Sequence, residues 1–92
     1  MKPVCLVIGA GAGIGGNVAR RFSAEGYHAC LVRRSDQQGL DNLVAGIQAD
    51  GGVASGFLLN AVEENAIEER VREIEVNTGP IEVAIYNLGA QI

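Results

Sequence analysis

Basic and aromatic residues are scarce in this chain. Its 92 residues hold seven Lys and Arg against eleven Asp and Glu, a net charge of −4, and Lys2 is the only lysine. That balance counts against nucleic acid or an anionic membrane as a partner. Tryptophan is absent and there are two Phe and two Tyr, so the core has to come from Val, Ile, Leu and Ala. The two cysteines form no CxxC and have no histidine cluster beside them, which leaves a metal site or a disulfide without support. Cys5 and Cys30 both fall in apolar runs and read as reduced, core-filling thiols. No apolar run approaches the length of a membrane span. The N-terminus lacks a signal-peptide layout, so a cytoplasmic location is expected. What remains is 48% hydrophobic and 20% charged, the balance of an ordinary globular chain of one domain.

Glycine is plentiful, and its placement is informative. The run Val4-Cys5-Leu6-Val7-Ile8 ends in Gly9-Ala10-Gly11-Ala12-Gly13-Ile14-Gly15-Gly16, and a helical pattern follows. Strand, glycines and helix in that order build a cradle for a pyrophosphate. The backbone turns sharply with no Cβ in the way, and the first-turn amides of the helix point at an anion. A P-loop would need Lys-Ser or Lys-Thr after the last glycine, but Gly16 is followed by Asn17-Val18. The GxGxxG fingerprint begun at Gly9 would require glycine at Ile14. Begun at Gly11, it lies too far past the strand. The register that fits is Gly9-x-x-x-Gly13-x-Gly15. A glycine-rich turn that binds nothing is the plain alternative.

Strand and helix patterns then alternate to the end of the chain. A strand over 4–8 precedes a helix over 13–25, with Ile14, Val18, Ala19 and Phe22 on one face. Gly26 stands where a helix stops, and a strand over 28–32 follows. Ser35-Asp36 offer N-cap chemistry to a helix with the stripe Leu40, Leu43, Val44 and Ile47. Gly51-Gly52 end it, and a strand covers 53–59. Glu63 and Glu64 suit the start of a third helix, over 63–77, which buries Ala66, Ile67, Val71 and Ile74. Thr78-Gly79-Pro80 break that helix before a strand over 81–86. The β-α-β-α-β-α-β series predicts a parallel sheet with right-handed crossovers, in spatial order 3-2-1-4. The first and second helices are expected on opposite faces.

The glycine register resembles the TGxxxGxG motif of the short-chain dehydrogenase/reductase family, with Ile8 in place of the threonine. The stretch from Gly26 to Arg34 is similar to the family's second strand. Gly79-Pro80-Ile81-Glu82-Val83-Ala84-Ile85-Tyr86-Asn87-Leu88-Gly89-Ala90 is similar to its GxIDxLVNNAGA. The order and separation of the three add weight to each. The resemblance implies an α/β Rossmann-type three-layer αβα sandwich, present in part. Residues 1–92 would then be the N-terminal portion of a single NAD(P)-binding domain.

Cofactor-binding residues follow position by position. Gly9, Gly11, Ala12, Gly13, Ile14 and Gly15 would hold the pyrophosphate. At the tip of the second strand an acidic residue would read the ribose of NAD. Here that tip is Arg33-Arg34, suited to the 2′-phosphate of NADP and unsuited to FAD. NADP(H) is therefore the expected cofactor, with NAD(H) possible. Two solvated arginines are the plain alternative. A basic residue common in NADP-dependent members is Ala12 here. Asn60, with Ala61 beside it, stands where an aspartate would meet adenine. Asn87 and Gly89 match the end of the NNAG motif, and Tyr86 and Leu88 depart from it. Tyr86 therefore reads as a packing residue, and His28 as a surface histidine.

The family's catalytic tyrosine has a lysine four residues on. Tyr27 is followed there by Leu31, and Tyr86 by Ala90, so that pair does not exist here. No catalytic residue and no metal ligand is assigned within the chain. Two functions stay open. One is the NADP(H)-binding half of an oxidoreductase moving a hydride between nicotinamide and a carbonyl or alcohol. The other is a non-catalytic nucleotide-binding or self-associating module, a truncated product. A homo-oligomer is expected.

Overall fold

The computed structural model describes residues 2–9, 14–33, 37–59 and 66–86. Four strands and three helices alternate: β1 (Val4–Ile8), α1 (Ile14–Ala24), β2 (His28–Arg33), α2 (Gln37–Ala49), β3 (Val53–Leu58), α3 (Ala66–Asn77) and β4 (Ile81–Tyr86). The N-cap pair Ser35-Asp36, the α3 entry Glu63-Glu64 and the side chains of Ile14, Ala66 and Tyr86 lie outside the described residues.

The strands form one parallel sheet in the order β3-β2-β1-β4, as the alternation predicts. All five residues of β1 are buried, because this central strand is covered on both faces. Odd and even positions of β1 and β2 serve two separate cores. Cys5, Val7, Ala29, Leu31 and Ala54 meet Ala19 of α1 and Leu40, Leu43 and Ile47 of α2. Val4, Leu6, Ile8, Cys30 and Val32 meet Ile74 of α3, with Ile67 and Val71 packed at the margin.

α1 and α2 therefore share one face, and the expectation that they lie on opposite faces is wrong. Both crossovers, β1 to β2 and β2 to β3, step the same way along the sheet, so their common handedness puts both helices on the same side. The return from β3 past β2 and β1 to β4 steps the other way and carries α3 to the opposite face.

Helices α1 and α2 end in the same device. Gly26, at φ 98°, donates to the Ser23 carbonyl (3.1 Å), and Tyr27 donates to that of Phe22 (3.1 Å). Gly51, at φ 88°, and Gly52 donate likewise to Gln48 and Ile47. These paired bonds satisfy last-turn carbonyls that would otherwise be orphaned. The Phe22 and Tyr27 rings then pack edge to face, 5.3 Å apart, across the first cap.

Both cysteines are free and buried, and burial pushes each thiol up to about 11. They occupy the two separate cores, so the sheet stands between their sulfurs. His28 departs from the surface role expected of it. It is half-buried, and its Nε2 is 2.8 Å from the Ser55 hydroxyl on β3.

Candidate functional site

Parallel strands finish at one edge of a sheet, and Gly9 and Arg33 stand at that edge at the ends of β1 and β2. β1 ends at Ile8, paired on one side with Val32 of β2 and on the other with Tyr86 of β4. α1 packs on one face of the sheet and α3 on the other, and the winding reverses at β1, whose neighbours are β2 and β4.

Gly9 turns the chain out of β1. Its φ of 87° lies in the left-handed region, and its N–H donates to the Val32 carbonyl at 2.8 Å, tying the turn to the end of β2. α1 opens at Ile14 and Gly15. No acidic residue stands in its first turn, so the helix sets no carboxylate of its own against an anion at its positive end. α2 likewise has no acid in its first turn, whereas α3 carries Glu68 and Glu69 in its own. An anion at this edge is thus favoured at α1 over α3.

Arg33 closes β2, half-buried, opposite Leu58 of β3. Its carbonyl accepts from Leu59 N–H at 2.8 Å, which holds the tips of β2 and β3 side by side. Gly9, Ile14, Gly15 and Arg33 are thus brought to a single edge. Gly11, Ala12, Gly13, Arg34, Asn60, Ala61, Asn87 and Gly89 lie outside the described residues. A left-handed glycine at the strand end, an acid-free helix start and an arginine at the neighbouring strand tip fit a phosphate-bearing dinucleotide.

Two contacts were not read from the sequence. The first is the bond between His28 and Ser55, at the far end of the sheet. The second is Arg70 of α3, whose guanidinium carbon lies 4.6 Å from the centroid of the Phe57 ring on β3. Its one sequence signal is that Arg70 shares the stripe of Ile67, Val71 and Ile74. A cleft lined by Arg20, Ser23, Asp50 and Gly52 sits where α1 and α2 end, away from the glycine turn. Among the described residues no group of three His, Cys, Asp or Glu is placed to hold a metal ion, and no helix is long and apolar enough to cross a membrane.

A family model for short chain dehydrogenases matches residues 3–92, so this chain belongs to the short-chain dehydrogenase/reductase family, a family of oxidoreductases. It is 36% identical over 89 residues to a fatty acyl-CoA reductase of Acinetobacter baylyi, covering 97% of this chain and 30% of that protein. Its fold superposes on a short-chain dehydrogenase from Rhodopseudomonas palustris with a TM-score of 0.88 at 36% identity, over 98% of this chain and 42% of the other. A metagenomic short-chain oxidoreductase solved in complex with NADP matches with a TM-score of 0.82 at 28% identity, over 89% of this chain and 37% of that one. The chain thus spans about a third of the length of the curated relatives it matches.

Proposed function

We propose that this chain is the NADP(H)-binding part of a short-chain oxidoreductase that moves a hydride between nicotinamide and a carbonyl or alcohol. The observation that carries the proposal is the left-handed Gly9 turn at the switch point, flanked by the β2 tip that ends in Arg33. Gly9, Gly11, Ala12, Gly13, Ile14 and Gly15 hold the pyrophosphate through backbone amides and the start of α1. Arg33 and Arg34 pair the 2′-phosphate by charge-assisted bonds, which ranks NADP(H) above NAD(H). Asn60 accepts a bond from the adenine amino group, with Ala61 beside it, and Asn87 and Gly89 border the ribose. Bound nicotinamide supplies the hydride chemistry. The residues present here bind and orient it, and the acid/base pair comes from outside these 92 residues. The complete protein acts in the cytoplasm.

Titration of NADPH and NADH against wild type and an Arg33→Ala/Arg34→Ala double variant tests this reading. The variant is expected to lose about 1.5–3 kcal/mol of NADPH binding and little of NADH binding. Equal affinities in wild type, unchanged in the variant, would overturn the cofactor assignment. Gly13→Val should weaken both cofactors alike, because it obstructs the pyrophosphate position they share.

A second reading is a non-catalytic, self-associating module. The lack of any Tyr-x-x-x-Lys and the apolar outer strand β4, with Val83 and Ile85 only half-buried, favour it.

A further inference from the structure

We infer that the cleft between the C-terminal ends of α1 and α2 is a binding site for a small zwitterion, an α-amino acid with a short aliphatic side chain. Arg20, Ser23 and Ala24 line it from α1, and Ile47, Asp50 and Gly52 from α2 and the turn that follows. The cleft stands at the opposite end of α1 from the phosphate position, so this inference does not rest on the dinucleotide reading.

Arg20 is held in place by backbone rather than by an acid. A Cβ on Gly46 would come within 2.8 Å of Arg20 Nη2, so the guanidinium lies against α2 in a notch that glycine leaves open. The Asp50 carboxylate does not tie it down: Nη1 and Oδ2 are 3.8 Å apart, beyond hydrogen-bond length. Asp50 is fixed separately, by its own N–H, which donates to the Gly46 and Ile47 carbonyls at 3.2 and 3.1 Å. Guanidinium and carboxylate therefore face each other at the cleft, 49% and 71% exposed. Among the described residues neither spends a side-chain hydrogen bond elsewhere, so five donors and a full set of lone pairs stand ready.

Charge selects the class of ligand. A simple anion would meet Asp50 and the negative ends of two helices, and α2 has no basic residue in its own last turn to offset them. A simple cation would meet Arg20. A molecule with both signs lays its carboxylate on the guanidinium through a forked pair of bonds and turns its ammonium to Asp50 and the helix ends. An α-amino acid carries the two groups on one carbon, a spacing that suits charges held 3.8 Å apart. Volume sets the size: the cleft holds about 270 Å³, below the range of about 300–1,000 Å³ that takes drug-sized ligands. Ala24 and Ile47 give it an apolar side for a short aliphatic group. Just beneath its base the Ser23 hydroxyl is buried with no hydrogen-bond partner, in the place that a Gly52 side chain would fill, so the base is polar too.

An NMR titration of the isotope-labelled chain tests this with L-valine, with isobutylamine, which lacks the carboxylate, and with isovalerate, which lacks the ammonium. L-Valine is expected to shift the amides around the cleft saturably, with a dissociation constant of about 1 mM. Each single-charge probe should bind at least about tenfold more weakly, and Arg20→Gln and Asp50→Asn should each weaken L-valine about tenfold. Gly46→Ala should weaken L-valine to a similar degree while the thermal midpoint holds or rises. Alanine suits a helix better than glycine, and only the flexible tip of Arg20 has to move. The inference is overturned by the lack of a saturable shift up to about 20 mM L-valine, or by shifts that fall outside the cleft. Isobutylamine or isovalerate that binds as tightly as L-valine also overturns it, as does wild-type affinity for L-valine in Arg20→Gln or Gly46→Ala.

Discussion

His28 and Arg33 open and close the same strand and meet different requirements. Arg33 stands at the edge where phosphates are expected, and its planar guanidinium suits a forked pair of bonds to a phosphate. His28 stands at the other end of β2, half-buried against Ser55, and its pKa lies below the ordinary 6.5, first because burial disfavours the imidazolium and then because Lys2 is near. The sign of the stability effect follows. The folded histidine resists a proton that the unfolded chain accepts, so the unfolded state binds more protons as the pH falls below about 6.5. Stability is full above that value, declines below it, and levels off once the folded histidine also protonates. His28→Gln keeps a hydrogen-bonding group opposite Ser55 and removes the titration. Urea midpoints from pH 8 to pH 5 should fall more steeply in wild type than in His28→Gln, and parallel curves would refute the assignment.

Among the elements, the strands and helix stripes were legible because they depend on local periodicity. Val4–Ile8 reads as an unbroken apolar run, and Leu40, Leu43 and Ile47 fall at helical spacing, so their burial follows from the pattern alone. The spatial order was legible too, since the resemblance and the handedness of crossovers both lead to it. The face of each helix follows from that same order: two crossovers of one hand that step the same way put α1 and α2 on one face, so the expectation of opposite faces was inconsistent with the order itself. The Arg70 stack was hidden for a different reason: its partner lies 13 residues away on another element, and an arginine in an apolar stripe has no periodic signature. At the site, Gly9 and Arg33 were legible because a strand ending in glycine and a strand ending in arginine are local facts. The cap at Gly26 was legible as well, and it gives a prediction of its own. Space around Gly26 is open, with no heavy atom within 4 Å of an added Cβ. The cost of Gly26→Ala is therefore conformational, about 1–2 kcal/mol for a left-handed alanine. Denaturant unfolding should show that loss with no change in cofactor affinity, because the cap lies at the opposite end of α1 from the phosphate position.

For the molecule as a whole, the exposed feature with the largest consequence is the outer side of β4. β1 pairs with it along one side, and among the described residues no strand pairs with the other. Ile81 packs toward the α3 core, and Val83 and Ile85 toward the α1 core, all half-buried. An edge with open amides, open carbonyls and apolar side chains is a template for another strand. One feature opposes pairing. The register with β1 shifts between Val4 and Cys5, and exposed Glu82 falls opposite that shift, placing a carboxylate on the edge at an irregular position. Glu82 sits near the start of the strand, so the stretch from Val83 onward remains regular and is the part that can recruit a partner. A polypeptide of these 92 residues is therefore expected to self-associate through β4, in its simplest form as a two-fold dimer with the two copies of β4 antiparallel. Size exclusion with light scattering should give a mass of at least two chains. Ala84→Lys, which sets a charge at an exposed position in the middle of the strand, should return it to one. A wild-type monomer at several hundred micromolar, with β4 protected from amide exchange, would show that the edge is stable uncovered and that oligomerisation plays no part in completing this sheet.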